Sequence, residues 1–269
     1  MKILAVSGGI DSVVMLDYLA HNCDDELLVA HFDHGIRQNS HQDAEFVERL
    51  AKQYQLPFAC EQAKLGAGCS EANARKARYD FLYSLAEEHS AIICVAHHSD
   101  DIIESIVINL LRGTGWRGLA PMQNAAIERP LRSWKKSKIY QYATDNHLSF
   151  RQDPTNTEDG YLRNRVREKL RYYPDESKKA LLDLYEKQCK IKAEIDQILS
   201  KIQHQARYDK SLASEQEILR YILSQNNIHL TRPQLAQCQR AIKSFAPGKL
   251  HSLDKDHFIK VNKYTFELV

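Results

Sequence analysis

The chain has 269 residues, enough for one large domain or for a domain of common size joined to a smaller one. Its 43% hydrophobic and 27% charged residues are typical of a folded globular protein and exclude a disordered or collagen-like chain. No apolar run reaches the ~18 residues that a membrane-spanning helix needs, and the first residues show no signal-peptide core or cleavage site. We therefore expect a cytoplasmic protein without a membrane anchor.

The formal net charge is +2, but the charge is unevenly distributed along the chain. Residues 1–122 carry −7 and residues 123–269 carry +9. This asymmetry suits a site for metal and nucleotide beside a surface that binds a polyanion. A solvated basic face would produce the same asymmetry, so charge alone does not decide between the two interpretations.

The first 120 residues alternate short apolar runs with helical periods. Strands are predicted at residues 2–6, 27–32, 57–60 and 92–96, and helices at 12–21, 40–54, 72–88 and about 100–111. This α/β alternation predicts a parallel, doubly wound sheet covered by helices on both faces. Ligands of such sheets bind beyond the carboxyl ends of the strands, so the residues just after each strand are the functional candidates.

The second half of the chain shows a different pattern. Residues 123–180 are basic, and prolines at positions 130, 154 and 174 mark bends or helix boundaries. A long helix is predicted from about 177 to 208, then helices at 214–224 and 232–245, and residues 250–269 alternate like a small hairpin. We therefore predict a catalytic domain over residues 1–176 and, over 177–269, a linker helix with a small, mainly helical domain that binds the polyanionic partner and ends in a β-hairpin.

The cysteines form no recognisable pattern. None of the six stands in a Cys-x-x-Cys pair, which argues against a zinc ribbon and a disulfide framework. We expect reduced thiols, each packed as a small buried hydrophobic residue.

The sequence SGGIDS at residues 7–12 follows one predicted strand directly and precedes a helix. Gly8 and Gly9 allow a tight turn and a close approach to a ligand, and the free amides at the start of the helix form an anion site. Ser7 and Ser12 add hydroxyl donors, and Asp11 can hold Mg²⁺ against phosphate oxygens. An ordinary capped turn is the alternative, but six residues in this context favour a phosphate-binding loop made of Ser7, Gly8, Gly9, Ile10, Asp11 and Ser12.

The loop is not a Walker loop, because no Gly-Lys-Ser/Thr follows it. It resembles the PP-loop of the ATP pyrophosphatases. That resemblance implies an adenine-nucleotide α-hydrolase-like fold and a reaction in which ATP adenylates a carbonyl or carboxyl oxygen and releases pyrophosphate. It does not indicate the acceptor.

A second candidate segment, HHSDDIIES, occupies residues 97–105. On a helix, Asp101 and Glu104 lie ~60° apart, opposite an isoleucine stripe, so they share an exposed face. They can bind Mg²⁺ or an ammonium group, or they can simply complement the helix dipole; the segment alone leaves both open. A dinuclear metal phosphohydrolase is a further alternative, with a candidate ligand set of His31, His34, His97, His98, Asp100 and Asp101. It leaves the glycine loop unexplained.

Seven motifs in order resemble those of the tRNA(Ile)-lysidine synthetases. They are SGGIDS (7–12), DHGIR (33–37), EANAR (71–75) with RY (78–79), HHSDDIIE (97–104) with RGTG (112–115), RPL (129–131), DPTN (153–156) and YLRNRVR (161–167). The resemblance covers residues 1–175 and continues more loosely through the helical region.

This resemblance implies ATP-dependent ligation of free L-lysine to carbon 2 of the wobble cytidine in tRNA(Ile) with a CAU anticodon, with AMP and pyrophosphate released. It implies that Asp101 and Glu104 bind lysine and that Asp11 faces Mg²⁺ and the reacting centre. Arg163, Asn164 and Arg167 match the family's Arg-Asn pattern, which implies a contact with phosphate or the adenylate as the alternative to a contact with RNA. The catalytic set is thus Asp11, Asp101, Glu104 and Arg163, while His34 and Arg37 line the nucleotide pocket.

The basic region fits an RNA partner. Residues 129–179 hold 13 Lys and Arg against 7 Asp and Glu, with tryptophan and tyrosines interleaved. Arginines contact phosphate and aromatic rings stack on unpaired bases, although any single arginine is more often a structural ion pair. The predicted tRNA contacts are Arg75, Arg112, Arg132, Lys135, Lys136, Arg165 and Arg167. A different ligase or thiolase with the same loop, and a non-catalytic tRNA-binding protein, remain as alternatives, and a homodimer is left open.

Overall fold

A computed structural model describes residues 1–35, 40–63, 69–151, 162–206, 209–226, 228 and 230–269. Its strands are β1 (Lys2–Ala5), β2 (Leu27–Asp33), β3 (Phe58–Gln62), β4 (Ile92–Cys94), β5 (Ile127–Glu128), β6 (Leu250–Ser252), β7 (Phe258–Val261) and β8 (Phe266–Leu268). Its helices are α1 (Ile10–Asn22), α2 (His41–Gln53), α3 (Glu71–Glu88), α4 (Ser99–Leu111), α5 (Lys136–Asp145), α6 (Leu162–Arg171), α7 (Asp175–Ala206), α8 (Lys210–Ala213), α9 (Gln216–Gln225) and α10 (Arg232–Ser244).

The first five strands form one sheet in the order β3-β2-β1-β4-β5, and every neighbouring pair is parallel. The chain moves outward from β1 through β2 to β3, then returns to place β4 on the other side of β1. The carboxyl ends of β1 and β4 therefore border a topological switch point, where ligands of open α/β sheets bind. The predicted doubly wound α/β class is confirmed.

Helices cover both faces of this sheet because successive side chains of a strand point to opposite faces. Leu4 packs with buried residues of α1, α2 and α5. The preceding residue, Ile3, packs with Phe81 and Leu82 of α3 instead. All seven residues of β2 are buried, as expected for a strand of a parallel sheet that is covered on both sides.

Three elements between residues 123 and 175, namely β5, α5 and α6, were not predicted. Strand β5 has only two residues, too few for a periodic signal. Helix α6 fully buries only Val166. Its apolar residues Leu162, Val166 and Leu170 form a stripe of three in an otherwise polar sequence, which is too short to predict a helix, and ion pairs also hold it on α4. The predicted C-terminal hairpin is a three-stranded antiparallel sheet, β6-β7-β8.

The chain divides into two compact units, Met1–Glu186 and Lys187–Val269. The division falls within α7, ten residues beyond the predicted domain boundary. The second unit has its own apolar core, in which Leu219 of α9, Cys238 of α10 and Ile259 of β7 are fully buried.

All six cysteines are free thiols, and burial raises the pKa of Cys94 and of Cys238 to about 12. The expectation that every cysteine is buried holds only for Cys94 and Cys238: Cys23, Cys69 and Cys189 are half-buried, and Cys60 is exposed in the middle of the edge strand β3. Within the described part of the chain, no helix combines the length and the apolar composition that crossing a membrane requires.

A buried carboxylate fixes α1 between α2 and α5. Asp17 accepts hydrogen bonds from the hydroxyls of Tyr54 (2.6 Å) and Tyr142 (2.7 Å), and burial together with this carboxylate raises the pKa of Tyr142 to about 12. A hydrogen bond to a charged group contributes about 1.5–3 kcal/mol. Tyr142→Phe is therefore expected to lower the free energy of unfolding by about 2 kcal/mol in urea denaturation.

The matched control is Tyr140→Phe, two residues away on α5, where the ring is half exposed. It should change the free energy of unfolding by less than about 0.5 kcal/mol. Equal destabilisation by the two substitutions would show that the Asp17 contacts do not stabilise the fold.

Candidate active site

The loop between β1 and α1 requires glycine at position 8. Gly8 has φ +86°, a left-handed conformation that side chains rarely adopt. A Cβ at this position would also lie 3.3 Å from Cδ1 of Phe46 on α2. Gly8 therefore allows both the turn and the close packing of α2 behind it.

Hydroxyl groups hold this loop closed on itself. The Ser12 hydroxyl donates to the Gly9 carbonyl (2.8 Å) and accepts from the Ser7 amide (3.1 Å). From the neighbouring strand, Nδ1 of His31 lies 2.8 Å from the Val6 carbonyl oxygen, and burial lowers the pKa of His31. A neutral His31 that donates from Nδ1 thus stabilises the strand end from which the loop departs.

A cleft of about 1030 Å³ opens at the carboxyl ends of β1, β2 and β4. Its wall contains residues that directly follow these strands, among them Ser7, His34 and His97. The cleft lies at the switch point of the sheet and is large enough for a nucleotide. The predicted site residues that line it are Ser7, Gly9, Ile10, Asp11, Ser12, His34, Asp101, Glu104, Lys136 and Arg167.

The first turn of α4 presents acidic groups around a buried histidine. Asp101 Oδ2 accepts a hydrogen bond from the His98 amide at 3.0 Å, which caps the helix, and also lies 3.4 Å from Nε2 of His98. Burial alone would lower the pKa of His98, but the carboxylate of Asp100, 3.5 Å from Nδ1, and the charges of Asp101 and Asp11 raise it. His98 thus carries positive charge over more of the pH range than an ordinary histidine.

The carboxylates next to His98 are held ionised. The contact with His98 at 3.5 Å lowers the pKa of Asp100 to about 2. Burial opposes ionisation of Asp101, but the charge of His98, its backbone amide and the charge of Arg163 together lower the pKa. Burial lowers the pKa of His97 to about 4, so that ring is neutral near pH 7.

Glu104 is covered by two arginines of α6. Arg167 binds it with two contacts, Nε to Oε1 at 2.6 Å and Nη2 to Oε2 at 3.1 Å. Arg163 donates from Nε to Oε2 at 2.9 Å and from Nη2 to Oδ1 of Asp101 at 3.3 Å. The expectation that Asp101 and Glu104 lie on an exposed face is therefore wrong, since the Glu104 side chain is only 3% exposed and that of Asp101 13%.

A fourth carboxylate, Asp11, is paired from another direction. Asp11 Oδ1 lies 2.5 Å from Nζ of Lys136, the first residue of α5. The same oxygen lies 3.8 Å from Nε2 of His98. Four carboxylates, Asp11, Asp100, Asp101 and Glu104, thus form one continuous charged cluster beside the loop with their cationic partners Lys136, His98, Arg163 and Arg167.

The other predicted tRNA contacts lie elsewhere on the first unit. Arg75, Arg112 and Arg165 are exposed. Arg132 and Lys135 form surface pairs, with Glu186 at 3.4 Å and Asp175 at 2.9 Å. Exposed guanidinium groups are free to meet a phosphate backbone, and pairs of this kind are weak enough to exchange. The predicted role of these five residues stays a prediction.

The cleft also contains residues that the sequence did not single out as site residues, including Arg78, Tyr140 and Arg151. The amide of Arg151 donates to the Gly8 carbonyl at 2.9 Å, and its guanidinium pairs with Asp43. Only proximity to the DPTN motif could have indicated Arg151. Arg37, the DPTN motif itself and Tyr161 lie outside the described residues.

The described residues do not support the alternative of a dinuclear metal site. No group of three or more histidine, cysteine, aspartate or glutamate side chains is arranged to hold a metal ion in the described ranges. Nδ1 of His31 is engaged by the Val6 carbonyl, and His98 lies among carboxylates whose charge favours its protonated form. Protonated imidazole is not a metal ligand.

The parallel sheet and the SGGIDS loop together define the class of protein to which the chain belongs. A model of the PP-loop domain family matches residues 2–172, and the chain belongs to that family. Individual curated relatives within this family indicate a narrower group. A tRNA(Ile)-lysidine synthase from Thermotoga maritima is 38% identical over 181 residues, 62% of this chain and 44% of that protein. One from Geobacter sulfurreducens is 34% identical over 228 residues, 80% of this chain and 48% of that protein.

The resemblance predicted from the seven motifs is therefore confirmed. The chain spans less than half the length of these two curated relatives. Among solved structures, a U34-tRNA thiolase, NcsA, from Methanococcus maripaludis aligns with a TM-score of 0.59 at 16% identity, over 69% of this chain and 71% of that one. This likeness supports the fold alone.

Proposed function

We propose that this chain catalyses ATP-dependent ligation of L-lysine to carbon 2 of the wobble cytidine in a CAU-anticodon tRNA(Ile). One observation carries the proposal: the PP-loop and two carboxylates that suit an ammonium group, Asp101 and Glu104, line the same cleft. The curated relatives bear the name of this activity. A cytoplasmic location and a homodimer belong to the same proposal.

The loop is suited to ATP. Its free amides at the start of α1, with the hydroxyls of Ser7 and Ser12, favour phosphate oxygens. Asp11 fits Mg²⁺ because its carboxylate is one-third exposed beside the loop, and Mg²⁺ is commonly held by one or two carboxylates together with substrate phosphates. When bound, that ion would neutralise charge on the phosphates.

The reaction has two steps. The carbon-2 oxygen of cytidine attacks the α-phosphorus of ATP, and the bond to pyrophosphate breaks. The lysine ε-amine then attacks carbon 2, the carbon–oxygen bond breaks, AMP leaves with that oxygen, and the amine loses one proton. The residues of the cleft accelerate this sequence by orienting the substrates and by stabilising charge on the phosphates.

Lysine recognition falls to Asp101 and Glu104, which Arg163 and Arg167 now neutralise. A lysine ammonium gains little from a carboxylate that already pairs with two guanidinium groups. Arginine also binds phosphate in a bidentate manner. Transfer of these arginines from the carboxylates to nucleotide phosphates would therefore free the carboxylates for lysine.

The test is formation of AMP from ATP by the purified protein, with lysine and tRNA added separately and together. The proposal requires that AMP and pyrophosphate form in equal amounts and that sustained turnover needs both substrates. Turnover that needs tRNA and a sulfur donor, but not lysine, would favour a thiolase with the same loop. Binding of tRNA without any AMP would favour a non-catalytic protein.

Arg163 and Arg165 provide a matched pair on one helix, because Arg163 faces the carboxylates and Arg165 faces solvent. Arg163→Ala is expected to lower lysine transfer about a hundredfold and tRNA affinity less than about threefold, since it removes a partly buried charge contact. Arg165→Ala should weaken tRNA binding and reduce its salt dependence with little change in turnover at saturating tRNA. Equal losses of transfer and affinity in Arg163→Ala would assign it to RNA binding.

A further inference from the structure

One lysine of the basic region points into the cleft, away from the exposed surface. Nζ of Lys136 lies 2.5 Å from Oδ1 of Asp11, one residue beyond the start of α1. The same nitrogen lies over the ring of Tyr140, 5.3 Å from its centroid. The ammonium group thus stands where the phosphate-binding loop meets its helix.

The backbone before α5 is fixed in a way that aims this side chain. The amide and hydroxyl of Ser99 both donate to the Trp134 carbonyl, at 2.9 and 2.8 Å. The Lys136 amide donates to Oδ2 of Asp100 at 2.8 Å. Two residues of the HHSDD motif therefore hold the start of α5 against α4, which makes the position of Lys136 a property of the site.

Its neighbours in sequence have other environments. Lys135 is 62% exposed and pairs with Asp175 outside the cleft. Lys138 stacks over the Trp134 ring, with Nζ 3.9 Å from the centroid. Of the residues Arg132, Lys135, Lys136 and Lys138, Lys136 alone lines the cleft in the part of the chain that the structure describes.

We propose that Lys136 is a nucleotide-phosphate ligand that leaves Asp11 when ATP binds. This inference rests on the nucleotide site of the proposed function. The ammonium group is a compact point charge on a flexible stem, so rotation of that stem can carry it from one carboxylate oxygen to nearby phosphate oxygens. Its departure also leaves Asp11 available for a cation, so one movement provides both a phosphate contact and a free carboxylate.

The experiment measures binding of a non-hydrolysable ATP analogue by calorimetry, with Mg²⁺ and without it, to the wild type and three variants. Lys136→Gln is expected to weaken binding about tenfold in both conditions, as loss of one close charge pair does. Lys136→Arg should restore most of the affinity. The matched control, Lys135→Gln, should bind the analogue within about twofold of the wild type.

The wild-type protein gives an independent readout. Acetylation by an amine-selective reagent should be slowed at Lys136 when the analogue is bound and should proceed unchanged at Lys135. This comparison holds even if Lys136→Gln folds poorly, which circular dichroism would reveal.

Unchanged analogue affinity in Lys136→Gln, or equal effects of Lys136→Gln and Lys135→Gln, would overturn the inference. A loss of tRNA affinity in Lys136→Gln with normal analogue binding would return Lys136 to the RNA surface. None of these measurements uses lysine transfer. They therefore remain decisive if transfer is never observed, and the failure of the proposed function would be distinguishable from the failure of this inference.

Discussion

Asp101→Asn is expected to lower lysine transfer at least about a hundredfold and to leave tRNA affinity within about twofold of the wild type. The substitution keeps the shape of the side chain and an oxygen that can still accept the His98 amide hydrogen bond. It removes the negative charge that faces Arg163 and, by our proposal, the lysine ammonium. The measurement is single-turnover transfer of labelled lysine, beside filter binding of tRNA.

The lysine concentration dependence separates two explanations of such a loss. If Asp101 binds lysine, the apparent lysine affinity falls while the adenylation step, followed as pyrophosphate release, continues. Near-normal transfer in Asp101→Asn would remove this residue from the site. A parallel loss of tRNA affinity would indicate a disturbed fold.

Glu104→Gln is expected to have the largest effect on stability, lowering the free energy of unfolding by about 3 kcal/mol. Glu104 is the shared acceptor of Arg163 and Arg167, and its loss leaves both guanidinium groups with only Asp101 nearby, at 3.3 and 3.9 Å. The full cost of breaking a buried pair is about 3–5 kcal/mol. The lower end is expected here because the two arginine side chains are 31% and 39% exposed and can be rehydrated.

A surface pair in the same unit is the control. Glu186→Gln removes the partner of Arg132, where both side chains are about half exposed. It should cost less than about 1 kcal/mol. Similar urea midpoints for Glu104→Gln and Glu186→Gln would mean that the contact between α4 and α6 does not stabilise the fold.

Features that depend on contiguous residues could be predicted from the sequence. The loop from Ser7 to Ser12 is one stretch, and its position between a strand and a helix follows from local periodicity. Asp11 and His34 line the cleft because they follow β1 and β2 closely, as the geometry of parallel sheets requires. The predicted strands 1 to 4 and the helices between them are present.

Features that depend on pairing between distant residues could not be predicted. Helical periodicity placed Glu104 on a solvent-facing side of α4, because nothing in residues 97–111 indicates that α6 covers that side. Helix α6 has a highly polar sequence with one buried residue, Val166, and its ion pairs with Glu104 hold it against α4. A sequence does not report which carboxylate each arginine of such a helix will meet.

The same limit applies to Lys135 and Lys136. They are identical, adjacent residues in a basic run, and composition assigned both to tRNA. The structure separates them because Asp100 fixes the start of α5 and turns one ammonium group toward Asp11 and the other toward Asp175. The different environments of Lys135 and Lys136 thus depend on contacts between elements that are more than thirty residues apart.

The most direct test of the central claim is transfer of labelled lysine by the purified chain with ATP and Mg²⁺. The acceptors would be tRNA(Ile) with its CAU anticodon and, as a control with the same anticodon, tRNA(Met). We predict label on tRNA(Ile) alone and an equal amount of AMP. Label on neither tRNA, from a folded protein that binds ATP, would contradict lysine ligation and leave an adenylating enzyme with another nucleophile.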